Sequence, residues 1–249
     1  MFALKLLLVP AMLALVALAA RLWGPAIAGW LAGLPLVAGP ILFVIMLEQG
    51  PYFAARAAIA ASAAISASIL FGAAYSHCAW RTRWPAALAA GLCAWFAAAA
   101  LLARLPPSLP LSLACTLLAL ICVPRLFPQP GQLALTRAMT RLELGLRMLA
   151  GALLTLAVTG AADAVGPAWS GLLAVFPVLG TVLAVFSHRG HGAGHATLVL
   201  RSMATGQYSF LAFCAVLAIG LTHTHPGLAF AAAVTAALGA LAASRRLLR

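Results

Sequence analysis

The sequence predicts an all-α protein, a polytopic transmembrane helix bundle of about nine spans, and three observations predict it. Of 249 residues, 65% are hydrophobic and 7% are charged. Soluble domains carry about 25% charged residues, so this chain lacks the polar groups to cover a water-facing surface. Apolar stretches near the roughly 20 residues needed to cross a bilayer follow one another from end to end, interrupted mainly around 124–136 and 187–197. A twelve-residue motif occurs twice, which organises the spans into two repeats.

Candidate spans run over 3–20, 25–47, 54–76, 85–103, 107–123, 138–160, 167–187, 197–221 and 226–244. The first resembles a signal peptide, with Lys5, an apolar run and Ala17-Leu18-Ala19. In a chain whose remainder is also membrane-embedded, it reads as an uncleaved first helix. The fifth is short and begins beside Pro106, Pro107 and Pro110. Proline at a helix start removes no intrahelical hydrogen bond, and Pro124 marks the expected end.

The formal net charge of +12 comes from 15 Lys and Arg against 3 Asp and Glu. In a soluble domain this would point to nucleic acid. Here the basic residues sit between apolar spans, where they set orientation. With the C-terminus inside, the inner loops hold Arg21, Arg81, Arg83, Arg125, Arg137, Arg141, Arg189, Arg201, Arg245, Arg246 and Arg249. The outer side holds Lys5, Arg56 and Arg104, and Arg147 lies within the sixth span. That bias predicts an outside N-terminus and a cytoplasmic C-terminus, with Trp80 and Trp84 as interfacial anchors. The expected partners are the lipid bilayer and a small-molecule solute, not nucleic acid. A homo-oligomer or a membrane-protein partner is open. The five cysteines form no CxxC pair and read as apolar packing residues.

Residues 24–35 read GPAIAGWLAGLP and residues 166–177 read GPAWSGLLAVFP. Gly24, Pro25, Ala26, Gly29, Leu31, Ala32 and Pro35 match Gly166, Pro167, Ala168, Gly171, Leu173, Ala174 and Pro177 without a gap. With a shift of one residue, Ser68 meets Ser209 and Pro85 meets Pro226. The organisation predicted is a four-helix repeat over 1–103, a linking helix and loop over 104–137, and a second four-helix repeat over 138–249. An offset of five spans inverts the second copy in the membrane, an arrangement known in secondary transporters.

Each copy opens with Gly-Pro and carries a further proline, Pro35 or Pro177. A mid-helix proline breaks the backbone ladder, and in lipid the freed carbonyls need protein or a water-lined cavity. Paired breaks at equivalent places point to a transporter's central site. The candidate substrate-binding residues are therefore Pro35, Pro177, Ser62, Ser66, Arg201, Thr205, Gln207, Tyr208 and Ser209. Ser62 and Ser66 share a helical face, as do Arg201, Thr205 and Tyr208. An ionisable group inside the membrane is a functional candidate, although Arg201 equally fits an interfacial anchor. Glu48, beside the first proline-broken span, is the candidate for ion coupling, with pairing to Arg56 as its bland alternative. Glu143 and Arg147, four apart, read as a local ion pair, and Asp163 as a cap for the following helix. His188, His191 and His195 fall in a glycine-rich segment read as a flexible loop. No carboxylate or cysteine accompanies them, so neither a metal nor a cofactor is expected. No Walker loop, paired carboxylates or Ser/His/Asp constellation appears, and an enzyme is not expected.

Gly171-Leu172, Phe176-Pro177, Arg201 and the run Gly206-Gln207-Tyr208-Ser209 resemble the small bacterial inner-membrane GlpM-type proteins. The resemblance covers about residues 165–215, with an echo at 24–35. The family's histidine after the Phe-Pro pair does not fall at His188 without a gap, so no role carries over to it. The resemblance implies a bacterial inner-membrane protein, built as a fused duplicate of a half-length unit. The first functional expectation is a secondary transporter or exporter of a small solute, an anion being slightly favoured, with a midplane site between inverted repeats. The alternatives are a non-transporting assembly factor of an envelope complex and a lipid or polyprenyl carrier.

Overall fold

The computed structural model describes residues 2–106, 108–129, 140–164 and 176–244. Among these residues the structure is helical without strands. The helices are α1 (Phe2–Trp23), α2 (Pro25–Ala32), α3 (Ala38–Gln49), α4 (Pro51–Ala79), α5 (Trp84–Leu102), α6 (Leu109–Leu126), α7 (Arg141–Ala164), α8 (Val178–His191), α9 (Ala193–His223) and α10 (Pro226–Ser244). Five of them are long and apolar enough to cross a membrane: α4, α5, α7, α9 and α10. Shorter apolar helices cover Leu7–Trp23, Ala38–Gln49 and Leu109–Val123. Gly166, Pro167, Ala168, Gly171 and the rest of the second motif up to Val175 lie outside the described residues. So do Arg137, Arg245, Arg246, Arg249 and the side chains of Lys5 and Asp163.

Several expected boundaries are corrected. The span expected over 25–47 is two helices, α2 and α3, interrupted over 33–37. Pro35 has no amide hydrogen to continue the ladder, and the chain breaks around it. The loop expected around 187–197 is absent. Helix α8 runs to His191 and α9 starts at Ala193, with Gly192 alone between them. Gly192 takes φ +85°, in the left-handed region that a glycine enters without steric cost, so a single residue turns the chain. Helix α6 also runs past Pro124 to Leu126.

The local geometry recurs at a constant separation of 142 residues, that of Gly24 from Gly166. Gly50 turns the chain from α3 into α4 with φ 86° and ψ 169°, and Gly192 does so from α8 into α9 with φ 85° and ψ 177°. The Gly39 amide donates to the Pro35 carbonyl at 2.8 Å, and the Thr181 amide to the Pro177 carbonyl at 2.9 Å. The Gly50 amide donates to Met46 at 3.0 Å, and the Gly192 amide to His188 at 3.0 Å. Helices α5 and α10 are each 19 residues long, and they start at Trp84 and Pro226. The one-residue shift expected from Ser68 and Ser209 is therefore not needed. Ser68 corresponds to Phe210 and Ile65 to Gln207.

The two longest helices, α4 and α9, have 29 and 31 residues. At 1.5 Å per residue they extend about 44 and 46 Å, beyond a hydrocarbon layer of about 30 Å. They pack antiparallel. Gly72 lies against Leu200, while Ala54 and Ala58 share a core cluster with Cys214, Leu217 and Leu221. These pairings put the crossing near Ile65 and Gln207. The interrupted pair α2–α3 runs alongside α9 in the same direction. Gly29 meets Val199 and Ser202, Gly33 meets Met203 and Gly206, and Gly39 meets Phe213. With side-chain bulk removed at Gly29, Gly33 and Gly206, backbone touches backbone, the small-residue packing that holds helices together where lipid supplies no hydrophobic drive.

One end of the bundle collects most of the arginines. The Tyr75 hydroxyl and His188 Nδ1 are 3.2 Å apart, Arg189 lies over the Trp84 ring, Phe127 approaches Gly72, and Arg147 lies over the Phe186 ring. Arg81, Arg83, Arg125, Arg141, Arg147 and Arg189 thus share an end. Arg147 there pairs with Glu143, as its spacing predicts. Arg56 and Glu48 lie toward the opposite end, and among the described residues no ion pair joins them.

Candidate functional site

The break between α2 and α3 and the start of α8 at Pro177 face each other across one cavity of about 130 Å³. From the first break come Gly33, Leu34, Val37 and Ala38; from the second come Phe176, Pro177, Val178, Leu179 and Gly180. Leu34, Val37 and Ala38 correspond to Phe176, Leu179 and Gly180 at the 142-residue separation, so the lining is nearly paired. Ser68 and Phe210, another corresponding pair, close one side with Gln207. Thr155 and Thr159 of α7 and Val9 of α1 complete it. Among the described residues no ionisable side chain lines this cavity.

The backbone supplies much of the polarity. Helix α3 opens at Val37 and Ala38 and α8 at Val178, and the first turns of both line the same space. The first amides of a helix have no intrahelical partner. Among the described residues, the amides of Leu36, Val37 and Ala38 form no hydrogen bond outside their helix, and neither do those of Leu179 and Gly180. On the side-chain side, Ser68 Oγ donates to its own helix at Ala64 and Thr155 Oγ1 to Gly151. Gln207 is 4% exposed, lines the cavity and makes no side-chain hydrogen bond to a described residue.

Of the residues expected from sequence, Gln207 and Pro177 reach this cavity, and Pro35 lines an adjoining apolar groove that shares Leu34 with it. The others are engaged elsewhere. Ser62 and Ser66 donate to the carbonyls of Ile59 and Ala63 on their own helix, and Thr205 to Ser202. Tyr208 reaches across to the Leu120 carbonyl of α6 at 3.0 Å, and Ser209 to the Ala237 carbonyl of α10 at 2.8 Å. Arg201 is exposed, without a hydrogen bond or ion pair to a described residue, and outside the lining. The face shared by Arg201, Thr205 and Tyr208 is thus not brought to the cavity. Glu48 is exposed near the end of α3, also outside the lining.

Sequence reasoning missed Ser68, Thr155, Phe176, Met203 and Phe210. The 142-residue separation would have found three of them, Phe176 opposite Leu34 and the pair Ser68 and Phe210. Sequence reasoning also missed that Gly29 and Gly33 form a GxxxG face, with Ser202 and Gly206 as the complementary small pair on α9.

The cross-helix hydrogen bonds act as packing bonds. We expect Ser209→Ala to lower thermal stability in detergent by about 0.6–2 kcal/mol, the range for such bonds within membranes. Any function carried by the cavity should be unaltered, because Ser209 Oγ is directed at α10. A stability scan read beside a functional assay checks both halves of this statement. Comparison with protein-family models, with curated proteins and with solved structures returns no match for this chain.

Proposed function

We propose that this protein is a secondary transporter of a small solute, bound in the cavity between two inverted four-helix repeats. The observation that carries the reading is the meeting of the α2–α3 break and the corresponding start of α8 at one cavity. Discontinuous helices whose ends converge on a buried cavity are the usual construction of a transporter's binding site. Support for inversion comes from α4 and α9. They correspond at 142 residues, run antiparallel and cross near corresponding residues. A two-fold axis in the membrane plane produces that relation, whereas an axis along the membrane normal would leave them parallel. The resemblance to GlpM-type proteins over about 165–215 fits a chain made of two such units. The arginine-rich end would face the cytoplasm of a bacterial inner membrane.

Within this reading Gln207 replaces Arg201 as the principal polar contact. Arg201 becomes an interfacial anchor, its stem along the apolar surface and its head in the polar layer. The test is flux. Purified protein in liposomes should carry at least one small solute saturably, with or without dependence on a pH gradient. Absence of saturable flux across a panel of small charged and neutral solutes would reject it.

One observation favours a second reading, a lipid or polyprenyl carrier. An apolar groove of about 530 Å³ lies beside the first break, lined by Pro35, Gly39, Phe43, Phe213, Phe230 and Leu238 among others. Photo-labelling by a polyprenyl phosphate at these residues, with no solute flux, would select it.

A further inference from the structure

We infer that the cavity is a carboxylate site, and that the solute is a short-chain monocarboxylate. This deepens the transport reading and rests on it. The half-helix N-termini of α3 and α8 both open on the cavity, through Val37 and Ala38 on one side and Val178 to Gly180 on the other. Each N-terminus carries roughly half a positive charge; the Val178 amide donates to the Phe176 carbonyl, which leaves those of Val37, Ala38, Leu179 and Gly180 as donors among the described residues. Two of them on one cavity attract an anion, and among the described residues no acidic side chain lines the cavity to oppose it. Gln207 supplies the independent sign of a ligand. The residue is 4% exposed, lines the same cavity and has no side-chain hydrogen-bond partner among the described residues. A carboxylate oxygen in the cavity would accept from its NH₂.

Size and lining narrow the class. A cavity of about 130 Å³ has room for a small solute. Apart from the amides, Gln207, Ser68, Thr155 and Thr159, the lining is apolar, with Val9, Ile41, Phe176, Met203 and Phe210. Fully hydrated inorganic oxyanions want polar contacts on every face. A carboxylate with a one- or two-carbon tail puts its charge on the amides and its alkyl end on these side chains.

The experiment is equilibrium dialysis of the full chain in detergent at neutral pH, with radiolabelled propionate and its neutral isostere propionamide. We expect saturable propionate binding and propionamide binding at least tenfold weaker. Gln207→Leu should weaken propionate at least tenfold. Gln207→Glu keeps the side-chain size, adds a repelling charge and should abolish propionate binding while the protein stays monodisperse. Nitrate should compete poorly. Equal or tighter binding of propionamide, or no propionate binding, overturns the carboxylate assignment. In that case saturable flux of a neutral solute in liposomes would leave the transport reading standing, and its absence would remove both.

Discussion

Replacing Gly206 by leucine should remove the folded protein from the membrane. A Cβ at Gly206 overlaps the Trp30 carbonyl oxygen and lies 3.1 Å from the Gly33 Cα, so the obstacle is backbone. At Gly33 a Cβ would overlap the Met203 carbonyl and stand 2.7 Å from the Gly206 Cα. Neither helix can give way by a rotamer change. Overpacking a tight core costs about 1–3 kcal/mol and sometimes more, and backbone overlap belongs at the high end. Even Gly206→Ala should cost on the order of 3 kcal/mol and lower abundance several-fold. Gly239→Ala is the control. A Cβ there meets nothing within 4 Å, and alanine is the better helix former by about 1 kcal/mol. Abundance in membranes and thermal unfolding in detergent read out both. Normal abundance of Gly206→Leu would mean that α2 does not lie on α9 as described.

On the proposed transport function, filling the cavity should abolish flux while sparing the fold. Ala38 sits at the first turn of α3 and lines the cavity. A phenylalanine there would project into about 130 Å³ of space and occupy most of it. Because the volume is empty of protein, the fold accommodates the ring with little strain, unlike the change at Gly206. The expected result for Ala38→Phe is a loss of flux of at least tenfold with near-normal abundance and thermal stability. Ser66→Ala, which removes only a hydroxyl bonded within its own helix, should leave flux unchanged. Full flux through Ala38→Phe would move the solute pathway out of this cavity.

Much of the bundle was legible from sequence because the bilayer enforces it. Runs such as 54–76 and 226–244 are too apolar to face water and long enough to cross, and they become α4 and α10. The proline at 35 was legible as a break for the same reason that proline interrupts any helix, while Pro177 stands at the N-cap of α8 and the residues just before Phe176 lie outside the described ones. That both places open on one cavity could only be expected, since the crossing that joins them depends on how α4 and α9 pack. Side-chain direction was the part least accessible. Serine, threonine and tyrosine on a membrane helix can turn to a cavity, to their own carbonyls or to a neighbouring helix, and periodicity does not distinguish these. Ser62, Thr205 and Ser209 took the second and third choices. Arg201 stood out as an ionisable group in an apolar run, yet depth and facing are tertiary facts, and it is exposed. The His188–His195 segment misled because three glycines suggest a loop. Two of them, Gly190 and Gly194, lie in helices, and only Gly192 takes a positive φ.

The antiparallel pairing of α4 and α9 is the basis of the proposed inverted arrangement, and one disulfide measurement tests it. A Cβ at Gly72 lies 3.6 Å from the Leu200 Cβ, inside the range a disulfide spans. In a chain cleared of its native cysteines, Gly72→Cys with Leu200→Cys should oxidise to an intramolecular disulfide, detected by peptide mass. The comparison chain keeps only the native Cys214 and adds Gly72→Cys. Residues 72 and 214 correspond at the 142-residue separation, and a parallel pair crossing at Ile65 and Gln207 would bring them to one level. The account predicts a disulfide between positions 72 and 200 and none between 72 and 214; a bond from 72 to 214, with none to 200, would contradict it.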